Sequence, residues 1–117
     1  MRSPRAFLVL CVGFAATALA EPMPAPSKLV EPAPGVRFGG GDGSSCDAAV
    51  VISGAEHERD GIRAERWWIW TKNPDAKIES QSMSSRGGND LETFVLMLPG
   101  GGRKTVCFDI TSFYGKP

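Results

Sequence analysis

Cys46 and Cys107, His57 between Glu56 and Glu58, Glu65, and the indoles Trp67, Trp68 and Trp70 beside Arg63 and Arg66 are the residues whose chemistry this chain has to offer. In an oxidising compartment the default for the two cysteines is a disulfide. A bond between positions 46 and 107 closes a loop of about 60 residues, which the chain-entropy model values at roughly 4 kcal/mol. A reactive thiol would want a C-x-x-C partner or a cationic setting, and neither stands nearby. The Glu56-His57-Glu58 triplet suggests a metal or general-base site. Adjacent helical positions diverge by about 100°, however, so the three cannot converge from one helix. No G-x-S-x-G elbow supports a serine nucleophile. No catalytic set, metal site or cofactor is therefore expected.

Two features stay unexplained by packing alone. Three indoles within four helical positions cannot share one face. Trp68 falls on the predicted core arc, whereas Trp67 and Trp70 fall on the charged arc with Arg63, and an aromatic pair beside arginine is a common anchor for a partner. Trp67, Trp70 and Arg63 are thus the candidate binding residues, unless the proline-rich arm or Phe113 and Tyr114 fold over them. Glu65 falls inside the core arc, where a carboxylate is costly without a cation. Arg103 or Lys104 could supply one, and a rim position reaching water is the plainer alternative.

These residues need a compartment and a scaffold. Basic Arg2 and Arg5, the apolar run Ala6 to Ala16 and the small-residue end Ala18-Leu19-Ala20 have the order of a secretory signal peptide over residues 1–20. The run is shorter than the roughly 20 residues of a membrane span, and no second one follows. Leu8-Val9-Leu10 before Cys11 argues against lipidation. Cleavage after Ala20 removes Cys11, Arg2 and Arg5, leaving 97 residues with 11 basic and 13 acidic side chains, a net charge near −2. Nucleic acid is an unsuitable partner for such a surface. The expected location is periplasmic or secreted.

Residues 21–35 carry Pro22, Pro24, Pro26, Pro32 and Pro34 and read as an extended linker. Residues 36–117 then form one small α+β domain for which a staple is valuable. Gly39 to Ser45 reads as a flexible loop; as a phosphate cradle it lacks the G-K-[ST] ending. Ala48 to Ile52 reads as a strand buried on both faces. Ser53 and Glu56 form a capping box for a helix from Gly54 to Lys72, stopped by Asn73 in a left-handed conformation and by Pro74. Small Gly61 and Ala64 allow close approach of that helix to a sheet. After Ala76 the period becomes two: strands over 76–84, 91–98 and 103–111 are joined by turns at Arg86-Gly87-Gly88-Asn89 and at 99–102. Val106, Phe108 and Ile110 then face the core and Cys107 the opposite side, where the loop carrying Cys46 must cross. The expected architecture is one long helix on a four-stranded antiparallel sheet, β-α-β-β-β, with one disulfide.

The segments Gly41-Asp42-Gly43-Ser44-Ser45, Ala49-Val50-Val51-Ile52, Gly61-Ile62-Arg63-Ala64-Glu65 and Phe108-Asp109-Ile110 resemble a group of small exported bacterial proteins of unknown function. The likeness runs from about Gly40 to Gly115. The arrangement is also similar to cystatin-like and PepSY-like folds, which implies an inhibitor or binding module. No cystatin-type Q-x-V-x-G motif accompanies it. The first functional expectation is therefore a non-enzymatic module holding an envelope protein or polymer. The alternatives are a small envelope hydrolase using Glu65 and His57, and a structural subunit that self-associates through the tryptophans.

Overall fold

The period-two stretch after Ala76 folds as a meander in the computed structural model, which describes residues 17–117, with side chains from Glu21 onward. Residues 1–16, most of the expected leader, lie outside the described residues. Six strands, β1 (Thr17–Pro24), β2 (Arg37–Gly40), β3 (Val50–Ser53), β4 (Lys77–Arg86), β5 (Asn89–Met97) and β6 (Arg103–Asp109), accompany one helix, α1 (Glu58–Lys72). Gly87 and Gly88, both at positive φ, make the two-residue turn that fixes the register of β4 on β5.

The α+β class and the single helix are as expected, while the sheet is larger and mixed. Its order is β1-β4-β5-β6-β3-β2. The four-stranded antiparallel expectation is corrected in two ways. First, β3 lies parallel to β6, pairing Val50 with Phe108 and Val51 with Asp109. Second, two strands come from segments in which no strand was expected: β2, at the start of the domain and into the glycine loop, pairs with β3, and β1, across the end of the expected leader and the start of the linker, pairs with β4. Both are edge strands, where backbone pairing suffices and glycine or proline is tolerated. β3 is buried on one face only, since Val50 and Ile52 are enclosed and Val51 is exposed.

The helix begins four residues later than its pattern suggests. Ser53 is held in β3 opposite Arg37, and Gly54 at φ +84° turns the chain away, so the Ser53–Glu56 box does not form. His57 takes the N-cap position without a side-chain cap. The C-terminal tail serves that end instead: the Glu58 amide donates to the Lys116 carbonyl at 3.1 Å, and the Gly115 amide to Glu58 Oε2 at 3.4 Å. Gly61 lies under the buried Phe113 ring, so its small size admits the tail rather than the sheet. At the other end Asn73 stops the helix at φ −135° and ψ 72°, not in the left-handed conformation expected, with its amide and its Nδ2 both donating to the Ile69 carbonyl.

Between α1 and the sheet lies the core of Ile52, Ala64, Ile69, Ile78, Phe94, Leu96, Val106, Phe108 and Ile110. Phe108 takes Trp68 and Phe94 edge-on, with ring centroids 5.5 and 5.7 Å away. On the opposite sheet face Cys107 is bonded to Cys46, as the alternation along β6 requires. The bond is consistent with an oxidising compartment. No helix among the described residues is long and apolar enough to cross a membrane.

Candidate functional site

The position of β1 and β2 at opposite edges of the sheet decides what happens to the tryptophans. Residues 25–36 connect the two edges without strand or helix. Five strand spacings of about 4.8 Å make roughly 24 Å to cross, and twelve extended residues at about 3.1 Å reach roughly 37 Å. The arm crosses over the outer side of α1, packing Ala25, Leu29 and Val36 against the core. Trp70 is consequently 4% exposed, and its Nε1 donates to the Ala76 carbonyl at 2.9 Å. Trp67 is half-buried and stacks on Phe38, centroids 5.7 Å apart. Arg63 is exposed.

Trp67, Trp70 and Arg63 nevertheless meet in one place. A groove of about 460 Å3 runs between the arm and α1, with Met23, Leu29 and Val30 on one wall and Ile62, Trp67 and Trp70 on the other. Its size lies within the roughly 300–1,000 Å3 of ordinary ligand pockets. Val30 and Ile62 at its rim are 55% and 38% exposed. Arg59, Arg63 and Arg66 also line it. None of the three enters an ion pair among the described residues, where the ion pairs are Arg86 with Asp47 and Arg103 with Glu79.

No family model, curated protein or solved structure matches this chain. Its chemistry has to be read from its own side chains.

A second constellation was only half visible. Glu65 is 1% exposed on the sheet-facing side of α1, and its neighbour is not the cation anticipated but Glu92 of β5, 9% exposed. Arg103 bonds Glu79 at 2.7 Å and Lys104 bonds Asn73 at 3.1 Å, so neither reaches Glu65. The Glu65 and Glu92 carboxyls stand beside each other in the space between α1 and the sheet. Burial, with the Glu92 charge second, holds Glu65 well above the usual carboxylate range; burial also raises Glu92. Both carboxyls are therefore biased toward the neutral form, the more deeply buried Glu65 more strongly. Period-two parity was the available signal, because Glu92 shares a face with Phe94 and Leu96. His57 lies elsewhere, its Nδ1 2.7 Å from the Pro117 carbonyl. The Glu65–His57 pairing is not assembled.

A cleft of about 500 Å3 borders the glycine loop, Trp68, Lys72 and Lys104. The loop offers no anion cradle. Its Gly41 and Gly43 amides donate to Ala49 and Ala48 carbonyls, and the Ser44 amide and hydroxyl both donate to Asp42 Oδ1. An anion there would face the Asp42 carboxylate, which those Ser44 bonds hold below its ordinary range.

The buried Glu65 carboxyl sets a pH dependence of unusual sign. A carboxyl whose native pKa is raised contributes stability that is complete below its unfolded value, about 4.3, and is lost as pH rises through the raised value. Each proton released makes a slope of about −1.4 kcal/mol per pH unit in that window. Urea midpoints measured from pH 4 to 8 should fall less steeply for Glu65→Gln than for the parent, with the variant gaining relative stability toward pH 8. Parallel curves for the two proteins would contradict the raised Glu65 carboxyl.

Proposed function

We propose that this chain is an extracytoplasmic, non-enzymatic binding module, and that its ligand is an acidic, apolar-rich extended segment of an envelope protein held in the groove between the arm and α1. The observation that supports this most is the groove's own composition: apolar walls including Trp67 and Ile62, lined also by Arg66 and by the exposed Arg59 and Arg63, which enter no ion pair among the described residues. Apolar walls take side chains from an extended peptide, and arginine selects carboxylates through its planar fork of donors. From Arg59 to Trp70 the helix is about 16 Å long at 1.5 Å per residue, enough for a few extended residues.

Export belongs to the same proposal. Cleavage after Ala20 would leave β1 with Glu21–Pro24, including the Met23–Ile78 and Pro24–Lys77 pairs. The likeness to small exported bacterial proteins and to cystatin-like and PepSY-like arrangements stands here too, as part of the proposal.

Anilinonaphthalene sulfonate, an apolar ring system with an anionic group, is a suitable reporter. It should fluoresce on binding the folded protein and be displaced by an alternating Leu/Glu octapeptide but not by its Leu/Lys counterpart. Arg63→Glu should weaken the Leu/Glu peptide by about tenfold, equivalent to about 1.4 kcal/mol. Displacement by dodecanoate with no effect of the peptide would assign the groove to an acyl chain, and equal displacement by both peptides would remove the arginines' role.

A further inference from the structure

Beneath Arg66 lies a smaller cleft that the groove does not include. It measures about 110 Å3, room for three or four water-sized groups. Three carboxylates from two elements border it: Glu58 and Glu65 of α1, and Glu92 of β5. Among the described residues none of them makes a salt bridge. Glu65 Oε2 is buried without any hydrogen-bond partner, although Glu65 is 1% exposed. A buried acceptor left open is costly, and in native proteins it usually has a donor. Met83, Phe94 and Ile110 supply apolar wall, and Arg66, Gln81 and Tyr114 line the rest.

We propose that this cleft binds a primary ammonium group on a short alkyl stem, with Glu65 and Glu92 as its principal acceptors. An ammonium is compact and carries three donors, which suits one open oxygen of Glu65, an oxygen of Glu92 and either Glu58 or the Gln81 carbonyl. Its methylene stem would lie against Met83, Phe94 and Ile110. A guanidinium is planar and bulkier, and Arg66 already stands at the entrance with its Nε unpartnered. A metal ion is a poorer fit, because no three His, Cys, Asp or Glu side chains among the described residues are arranged to hold one.

Burial favours the neutral form of Glu65 in the unliganded cleft; entry of the ammonium replaces that proton, which leaves to solvent, so one proton is released per ligand bound. The charged groups facing the pair are Glu58 and Arg66 from α1, and Tyr114 of the tail also lines the cleft. β4 contributes Gln81 and Met83, neither of which titrates. Ordinary alkylamines and the lysine side chain share this chemistry and differ only in what the stem is attached to.

Calorimetric titration of the full chain with n-butylammonium chloride, in two buffers of different ionisation enthalpy, reads both binding and proton release. The expected result is saturable binding with about one proton released, and affinity rising by up to about tenfold per pH unit until the pair is fully ionised. Glu65→Gln, which keeps the side-chain shape but removes the group that releases the proton, should abolish the proton release and weaken binding at least tenfold, and Glu92→Gln should weaken binding at least tenfold as an independent check if Glu65→Gln folds poorly. n-Butanol should not bind. Nα-acetyl-lysine amide separates the two sources: binding comparable to butylammonium indicates a lysine side chain, and its failure indicates a free amine. Equal binding of butanol and butylammonium, no binding of either cation, or binding without proton release that survives both variants would each overturn the proposal.

Discussion

Reduction of the Cys46–Cys107 bond is expected to lower unfolding stability by about 4 kcal/mol, following the entropy of closing a 61-residue separation. Against a usual total of about 5–15 kcal/mol, that is enough to leave a domain of this size near its unfolding midpoint at 37 °C. Cys46→Ser with Cys107→Ser should match the reduced protein. The bond pins the loop before β3 onto the outer face of β6, where the Cys46 sulfur also lies 3.4 Å from the Thr93 hydroxyl. Urea titrations of oxidised and reduced protein give the difference directly; coincident midpoints would show that the staple constrains nothing the core does not already hold.

Trp70→Ala should cost about 3–5 kcal/mol, the range for truncating a buried large aromatic. The loss includes the bond from Trp70 Nε1 to the Ala76 carbonyl, which would be left without that donor. Trp67→Ala is the informative contrast. Its half-buried indole stacks on Phe38 and lines the groove, so its removal should cost less stability and more reporter binding. Thermal unfolding beside reporter titration for both variants checks this ordering. The reverse ordering would mean that the arm does not shield α1 as described.

The elements whose own residues decide their structure were readable from the chain. The Val106, Phe108, Ile110 parity put Cys107 on the far face, and Arg86–Asn89 announced a tight turn. The misread elements are those decided by something distant. β1 and β2 contain Pro24, Gly39 and Gly40 and carry no strong alternation; their neighbours' unpaired backbones recruit them. The helix start was misplaced because Ser53 is claimed by Arg37 across a strand pair, a competitor that a local capping pattern cannot reveal. Trp70 sat on the charged arc of an isolated helix and is buried because the arm crosses that arc. Glu92 was legible, since it follows the same alternation as Phe94 and Leu96. It was missed because a cation was sought for Glu65, whereas Lys104 lies four residues along β6 from Phe108, the residue opposite Glu92.

The lone parallel ladder between β3 and β6 has a consequence for the order of events in folding. The hairpin formed by β2 and β3 has no sheet to join until the meander has formed up to its last strand, so the contacts that close the molecule are among the most widely separated along the chain. Such closures are entropically expensive and slow. A ribosome-bound or partly translocated chain lacking β6 therefore cannot acquire its native topology, and the joining of Cys46 to Cys107, with both electrons passed to an oxidant of the compartment, marks a polypeptide whose synthesis has reached the final strand.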